Sequence, residues 1–250
     1  MEVSLYQAAA AMNATAQWQD LIAQNLAASA VPGSRKQEIS FSDVQAGLGS
    51  NVPGSEQSSY YIPSANTTTN FQTGELCSTG NSMDFALEGP GFFTVQMPNG
   101  QSAFTRDGEF QLNAKGELVN KEGYPVLGDN GPLQFNPNSS TPIAVSATGD
   151  VSQGGEKKGT LQITEFQHPE KLTLLGVGDF RPDDQDAQPV PAVSTQVRQG
   201  FIEAANSSPT TEMASLITAM RMFESNQKVL QMQSDRMSRV ITDLGGTTSS

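Results

Sequence analysis

The last segment of the chain carries the feature that most restricts how it can fold, an apolar repeat of seven residues. With Met213 as the first position of a heptad, the first and fourth positions continue for more than four heptads, and eight of these ten positions are apolar. The apolar ones are Met213, Leu216, Met220, Phe223, Leu230, Met237, Ile241 and Leu244. Such a repeat is typical of a helix with a narrow apolar seam, about 48 Å long at about 1.5 Å per residue. Because this seam needs a second helix to cover it, we predict a coiled-coil helix over 201–250.

The N-terminal segment is the obvious partner for this helix. Its apolar residues Leu5, Met12, Ile22 and Leu26 have spacings compatible with one helical stripe. The sequence Val31-Pro32-Gly33 then ends the helix, because proline cannot continue it. We therefore predict a helical segment over 1–36. Both seams are modest, so two interpretations stay open: an ordinary helical hairpin within one monomer, or helices whose burial is completed by neighbouring subunits.

The middle of the chain has a different pattern. Turn sequences such as Pro98-Asn99-Gly100 and Asp107-Gly108 recur between short apolar runs, which is typical of antiparallel strands. We predict an extended connector over 37–84 and a β-rich domain over 85–200, in which 179–191 forms an acidic loop broken by prolines. The predicted fold class is α+β, with terminal helices pairing as a coiled-coil-like layer and a central, mainly antiparallel β domain.

Composition excludes several functions. The formal net charge is −12, so nucleic acid is not an expected partner, because its phosphates are bound by clustered Lys and Arg. His168 and Cys77 are the only residues of their kinds. They leave no histidine cluster for a metal and no supported catalytic triad. We expect no enzymatic activity, no cofactor and no small-molecule substrate.

The sequence also bears on membranes and export. No apolar run approaches the ~18 residues of a membrane-spanning helix, so we expect no membrane insertion. Glu2 stands where a secretory signal would carry basic residues. A cleaved signal peptide is therefore not expected.

Blocks at both ends and in the centre resemble one protein family. Residues 21–28 (LIAQNLAA) precede Pro32-Gly33, and residues 86–93 (ALEGPGFF) and 104–110 (FTRDGEF) form the central block. The C-terminal block is 199–206 (QGFIEAAN) with 212–226 (EMASLITAMRMFESN). In this order they are similar to the motifs of the axial family of bacterial flagellar rod and hook proteins. Within that family, 123–132 (GYPVLGDNGP) resembles the proximal rod type, and the distal rod or hook type is the alternative.

The resemblance implies a structural subunit of the flagellar basal-body rod. Such a subunit polymerises through its terminal helices and helps to form the hollow drive shaft for flagellum-dependent motility. The implied partners are copies of itself, other rod subunits and the flagellar type III export apparatus. The implied location is the rod in the periplasmic space, reached without a cleaved signal peptide.

The chemistry and spacing of individual residues suggest roles for them. Asn25 and Asn206 are expected to hydrogen-bond at helix ends or turns. Arg106 is either an anchor within its domain or a donor at an interface, and Arg221 either forms a solvated pair with Glu224 or bridges subunits. With the seam residues, the predicted assembly residues are Leu5, Met12, Ile22, Asn25, Leu26, Gly33, Asn206, Met213, Leu216, Met220, Arg221, Phe223, Leu230, Met237, Ile241 and Leu244.

Two functions of other classes compete with this interpretation. A periplasmic β protein that binds or hydrolyses polysaccharide would need a signal peptide and an aromatic or acidic cleft, yet the sole tryptophan, Trp18, falls on the predicted N-terminal helix. A cytoplasmic coiled-coil adaptor would explain the helices and leave the β domain without a role.

Overall fold

The computed structural model describes residues 2–45, 61–137, 139, 141–182 and 187–246. These residues form two compact units. The helical unit takes its residues from 1–25, 37–68 and 209–250, and the β-rich unit takes its residues from 26–36 and 69–208. None of the described helices is long and apolar enough to cross a membrane.

Two long helices dominate the helical unit, α1 over Glu2–Ala28 and α2 over Pro209–Gly246. Alanine and glutamine, both good helix formers, fill much of α1. Proline at the first position of α2 costs nothing there, because that N–H has no helical acceptor. Glu212 places an acidic group in the first turn of α2, where the helix dipole favours it.

A pair of strands, β1 over Gln37–Gln45 and β2 over Tyr61–Thr69, completes the described part of the helical unit. This differs from the extended connector predicted over 37–84. Ile39 and Phe41 alternate with polar residues along β1, and this alternation is typical of a β-strand. Phe41 packs edge-to-face on Trp18 of α1, with 6.3 Å between ring centroids.

The β-rich unit consists of short strands, as the recurring turn sequences predict. The strands are β3 Leu76–Ser78, β4 Phe85–Glu88, β5 Phe92–Gln96, β6 Ser102–Thr105, β7 Gln111–Leu112, β8 Leu118–Val119, β9 Leu127–Gly128, β10 Gly131–Pro132, β11 Ile143–Val145, β12 Asp150–Gln153, β13 Glu156–Thr160, β14 Ile163–Phe166, β15 Leu172–Leu175, β16 Asp179–Pro182, β17 Pro189–Pro191, β18 Gln196–Gln199 and β19 Phe201–Glu203. A 3-10 turn covers Pro169–Lys171.

All the strand pairs with a described register are antiparallel. The largest sheet has the order β15-β16-β6-β5-β14-β17, and a three-stranded sheet has the order β11-β12-β13. Strand β4 pairs with β18, and β3 pairs with β19. The mainly antiparallel β domain of the predicted fold class is confirmed.

Two hydrophobic clusters form the core of this unit. Because side chains alternate along a strand, Phe92 and Phe93 of β5 point to opposite faces of the large sheet. Phe93 belongs to the larger cluster, with Phe85, Phe110 and Val126. Phe92 belongs to a second cluster. The remaining buried members of that cluster are Phe104, Phe166, Leu172, Phe180 and Ala187.

The acidic loop predicted over 179–191 is wrong at both ends. Residues 179–182 form β16, inside the large sheet, and 189–191 form its edge strand β17. The reason is Phe180, which is fully buried in the second hydrophobic cluster, here called the aromatic cluster. The burial of this side chain outweighs the preference of the surrounding acidic and proline residues for a loop. Residues 183–186 lie outside the described residues.

The helical segments are also shorter than the predicted ranges 1–36 and 201–250. Residues 26–36 and 201–208 belong to the β-rich unit. Strand β19 alone occupies the first three positions of the predicted C-terminal helix.

Candidate assembly site

The least exposed stripe of α2 repeats at intervals of three and four residues. Its members are Glu212, Leu216, Ala219, Phe223, Asn226, Leu230, Gln233 and Met237. Leu216, Phe223, Leu230 and Met237 are the fourth positions of the predicted heptad. The predicted first positions, in contrast, are exposed, with Met213 at 54% and Met220 at 50%. In place of each predicted first position, the residue immediately before it in the sequence faces inward.

This shift by one residue has a physical cause. Ala219 is fully buried, although its side chain is small. Asn226 uses its amide inward, where its Nδ2 donates a hydrogen bond to Thr15 Oγ1 of α1 at 3.2 Å. A pattern read from hydrophobicity alone favours methionine over alanine and asparagine, so it selects the wrong neighbour.

On α1, the predicted seam residues agree better with the structure. Ile22 is buried, and Met12 and Leu26 are half-buried. Thr15 is also buried, and its hydroxyl donates to the carbonyl of Ala11 one turn earlier. The side chains of Leu5, Ile241 and Leu244 lie outside the described residues.

Apolar side chains remain exposed on both flanks of the α2 stripe. Met213, Ile217 and Met220 are about half exposed and follow each other at i, i+4 and i+7, which places them on one face. Met222 and Val229, two turns apart, lie on the opposite flank. Arg221 and Glu224 are exposed between these residues.

Asn25 closes the end of α1 in the way the sequence predicts. Its Nδ2 donates to the carbonyl of Gln37 at 2.8 Å, and the Gln37 N–H donates to its Oδ1 at 2.9 Å. The side chain thus imitates the paired hydrogen bonds of a β ladder. This fixes the first residue of β1 beside the last turns of α1.

Glu203 gathers three distant segments inside the β-rich unit. Its Oε1 lies 2.8 Å from Arg35 Nη1 and accepts the Gly74 N–H at 2.7 Å. Its Oε2 lies 3.0 Å from Arg106 Nη1. The three charged side chains are between 0% and 2% exposed. The Gly33 N–H also donates to the backbone carbonyl of Glu203, at 2.7 Å.

Arg106 is an anchor within its unit, one of the two predicted roles. Beyond Glu203, its Nη2 donates to the Gly89 carbonyl at 2.5 Å, and its guanidinium lies 5.0 Å from the centre of the Phe92 ring. Burial lowers its pKa to about 10, against the opposing attraction of Glu203. The guanidinium is therefore charged at neutral pH.

Asn206 ties the same segments together through its amide. Its Oδ1 accepts the Lys36 N–H at 2.6 Å, and its Nδ2 donates to the carbonyls of Asn70 at 2.8 Å and Gln72 at 3.0 Å. The predicted hydrogen-bonding role of Asn206 is confirmed. Gly33 is required beside it, because its φ is +70° and a Cβ would lie 2.3 Å from the carbonyl carbon of Arg106.

The sequence analysis did not single out Glu203 or Arg35 as a pair. Both are charged residues inside motifs that are otherwise small or apolar, and each lies close to a glycine, Gly33 or Gly200. A charged residue close to a glycine in such a motif was the feature of the sequence that could have indicated a buried charge. Their separation along the chain hid the contact between them.

The described residues also bear on whether the protein could bind a metal ion. Among them, no group of three or more His, Cys, Asp or Glu could hold a metal ion. His168 is exposed, with its Nδ1 3.0 Å from Glu170. Cys77 is exposed on β3.

Comparisons with known proteins agree with this geometry. Residues 86–153 match the model of the flagellar hook protein FlgE/F/G D1 domain, and residues 198–244 match that of the flagellar basal body rod FlgEFG protein C-terminal region. A flagellar basal-body rod protein FlgF from Mesorhizobium japonicum is 31% identical, over 98% of this chain and 99% of the relative. A FlgF from Rhizobium meliloti is 32% identical, over 99% of this chain and 100% of the relative.

The chain belongs to the flagellar basal-body rod protein family. A flagellar basal-body rod protein FlgG from Borreliella burgdorferi is also similar, at 31% identity over 96% of this chain and 98% of the relative. Together the matches support the proximal rod type. The protein is a structural subunit of the flagellar rod that serves motility, and its family is not one of enzymes. The two matched regions contain Arg106 and Glu203 respectively.

Proposed function

We propose that the protein polymerises through its two terminal helices, which pair as a coiled-coil-like layer and help to form the hollow drive shaft. Its partners are copies of itself and other rod subunits. The observation that carries this proposal is the apolar face that Met213, Ile217 and Met220 leave exposed beside the stripe of α2. A chain that folded for itself alone gains nothing from such a face, whereas a subunit can bury it in assembly.

The contribution of this face to assembly is large enough to measure. Each of these three side chains is about half exposed. Removing the rest of one from water contributes about 1 kcal/mol. Three such residues contribute about 3 kcal/mol per interface, which corresponds to roughly a hundredfold in an association constant.

The predicted assembly residues divide into three groups under this proposal. Ile22, Leu216, Phe223, Leu230 and Met237 contribute to the seam within one chain, and Leu5, Met12, Leu26, Ile241 and Leu244 continue it. Met213, Met220 and Arg221 contact the neighbouring subunit. Asn25, Gly33 and Asn206 hold the chain at the ends of the helices. Contacts between unlike surfaces repeat head to tail without closing, so they generate a helical filament.

We also propose a route and a location for the subunit. It passes through the flagellar type III export apparatus with its N-terminus uncleaved and joins the rod in the periplasmic space. The family membership and the modest apolar seam of α1 support this route, since a helix with little buried apolar surface unfolds readily. Mass spectrometry of protein recovered from isolated basal bodies measures the N-terminus directly.

Sedimentation and negative-stain microscopy over a range of concentrations test the assembly proposal. The test variant replaces Met213, Ile217 and Met220 together by glutamine in the full-length chain. We expect the unaltered protein, alone or with other rod subunits, to form filaments and the variant to need roughly a hundredfold higher concentration.

The matched control replaces the exposed Val177 and Val193 of the β-rich unit by glutamine. It removes exposed apolar surface elsewhere and is expected to assemble normally. Equal assembly by the test variant and the unaltered protein would contradict the proposal.

A further inference from the structure

Three segments that connect the two units meet inside the β-rich unit. They are 33–36, which follows α1, 70–74, which follows β2, and 203–206, which precedes α2. Glu203 belongs to the third segment and contacts the other two. Its side chain contacts Arg35 and Gly74, and its backbone carbonyl accepts a hydrogen bond from the first segment. Arg106, at the end of β6, holds its second oxygen.

Holding segments together with this cluster costs free energy, because its charged side chains are buried. Two guanidiniums and the carboxylate that both of them contact are buried. Buried ion pairs rarely stabilise a protein more than apolar residues of the same volume, because each charge loses its water. What they provide is direction, since each carboxylate oxygen accepts from fixed partners at fixed angles.

Direction matters here because Glu203 ends the strand before α2. Strand β19 pairs with β3, with Glu203 opposite Leu76. A slip of one residue in this pairing would turn every side chain of β19 to the other face. The carboxylate would then lose its contacts with the buried Arg35 and Arg106. The cluster therefore selects one register for the chain that leads into α2.

We propose that Glu203 is a positioning residue for assembly. By holding Arg35, Gly74 and Arg106 together, it fixes where the chain enters and leaves the β-rich unit, so both terminal helices are connected to that unit in one register. This inference rests on the proposed function, in which those helices carry the contacts between subunits.

The variant Glu203→Gln in the full-length chain tests the proposal. It keeps the shape of the side chain and removes the negative charge that both buried guanidiniums contact. We expect the unfolding midpoint to fall by about 5 to 10 °C. Amide hydrogen exchange at Gly33 and Gly74 should become at least about tenfold faster, as hydrogen bonds at the cluster open more often. At a temperature where the variant is folded, it should fail to form filaments and fail to restore motility to cells that lack their own copy.

Two further variants separate positioning from stability. Leu172→Ala removes a buried side chain from the aromatic cluster and should lower the midpoint by a similar amount, yet it should assemble when folded. Arg35→Met leaves a neutral pair of Arg106 and Glu203, so its midpoint should fall less than that of Glu203→Gln, but assembly should be lost as well. Arg35→Met carries the test if Glu203→Gln does not fold.

Several outcomes would overturn the proposal. One is normal assembly by folded Glu203→Gln or Arg35→Met, and another is an equal loss of assembly in Leu172→Ala. If the unaltered protein itself does not assemble, the proposed function fails, and hydrogen exchange at Gly74 then decides the positioning role. Unchanged exchange there in Glu203→Gln would contradict it.

Discussion

The two units of this protein treat their apolar residues differently. In the β-rich unit, Phe92, Phe93 and Phe180 are almost completely buried between antiparallel strands. In the helical unit, α2 keeps Met213, Ile217 and Met220 about half exposed. Of the ten large hydrophobic residues described as exposed, seven lie on α2. The β-rich unit thus completes its own core, whereas the helical unit leaves apolar surface exposed, which we propose other subunits cover.

The largest expected effect tests the closed core. Phe180→Ala should lower the free energy of unfolding of the β-rich unit by about 3 to 5 kcal/mol, because the ring contacts Phe71 and Phe92 and is fully buried. Urea denaturation followed by near-ultraviolet circular dichroism measures it. A loss below about 1 kcal/mol would show that this core is not the closed one described, and the comparison of the two units would fail.

The next effect concerns the backbone next to the buried charges. Gly33→Ala should cost about 2 kcal/mol or more, because φ is +70° and the new Cβ would meet the backbone of Arg106. Gly80→Ala is the matched control, with φ of +71° and open space around it. It should cost only about 1 kcal/mol. Equal losses of thermal stability in the two variants would remove the steric argument.

A smaller effect sharpens the division of α2 into an inner stripe and an exposed flank. In the monomer, Phe223→Ala should lower the stability of the helical unit by about 2 kcal/mol, since its side chain is half-buried. Met220→Ala should change it by less than about 0.5 kcal/mol. Far-ultraviolet circular dichroism during thermal unfolding at low concentration compares them. A larger loss of stability in Met220→Ala than in Phe223→Ala would mean that the predicted first positions belong to the inner stripe.

The smallest effect is a dependence on pH within the β-rich unit. Burial, together with the charges of Glu122 and Asp107, raises the pKa of Asp179 to about 6 from 3.8. The folded state therefore binds this proton more tightly than the unfolded state, and the contribution of Asp179 to stability is lost as pH rises from about 4 to about 6. With discount for partial exposure, the loss is about 1 kcal/mol.

Asp179→Asn should accordingly be stabilised relative to the unaltered protein at pH 7.5, and less so at pH 4.5. The difference between the two proteins is the quantity to measure, by thermal unfolding at both values, because the other carboxylates contribute equally to each. A difference that does not change with pH would mean that Asp179 titrates normally in the folded protein.

The sequence predicted some of these features and missed others for identifiable reasons. The seven-residue repeat located α2, since a helix imposes its period on the residues that face inward. It gave the wrong residue at the first positions of the heptad. There Ala219 and Asn226 face inward instead, Ala219 with a small side chain and Asn226 with an amide that forms a hydrogen bond. Turn sequences located the β domain but not β16, where a single buried phenylalanine outweighs its acidic and proline neighbours.

The polar cluster was only partly accessible from the sequence. Arg106 stood out inside a recognisable motif, and its two possible roles stayed open. Glu203 did not stand out, because its partners Arg35, Gly74 and Arg106 are distant along the chain and no periodicity connects them. Contacts of this kind depend on the topology of the whole unit, which local patterns do not contain.

The hydrogen bond from Asn206 to Asn70 has a consequence for how such proteins can vary. It joins the Nδ2 atom of Asn206 to the carbonyl oxygen of Asn70 at 2.8 Å, so the two ends of the segment 70–206 lie next to each other. A segment whose ends meet can grow, shrink or be exchanged without moving the chain on either side of it. A rod subunit with a different segment in place of 70–206 can therefore keep the same pair of terminal helices.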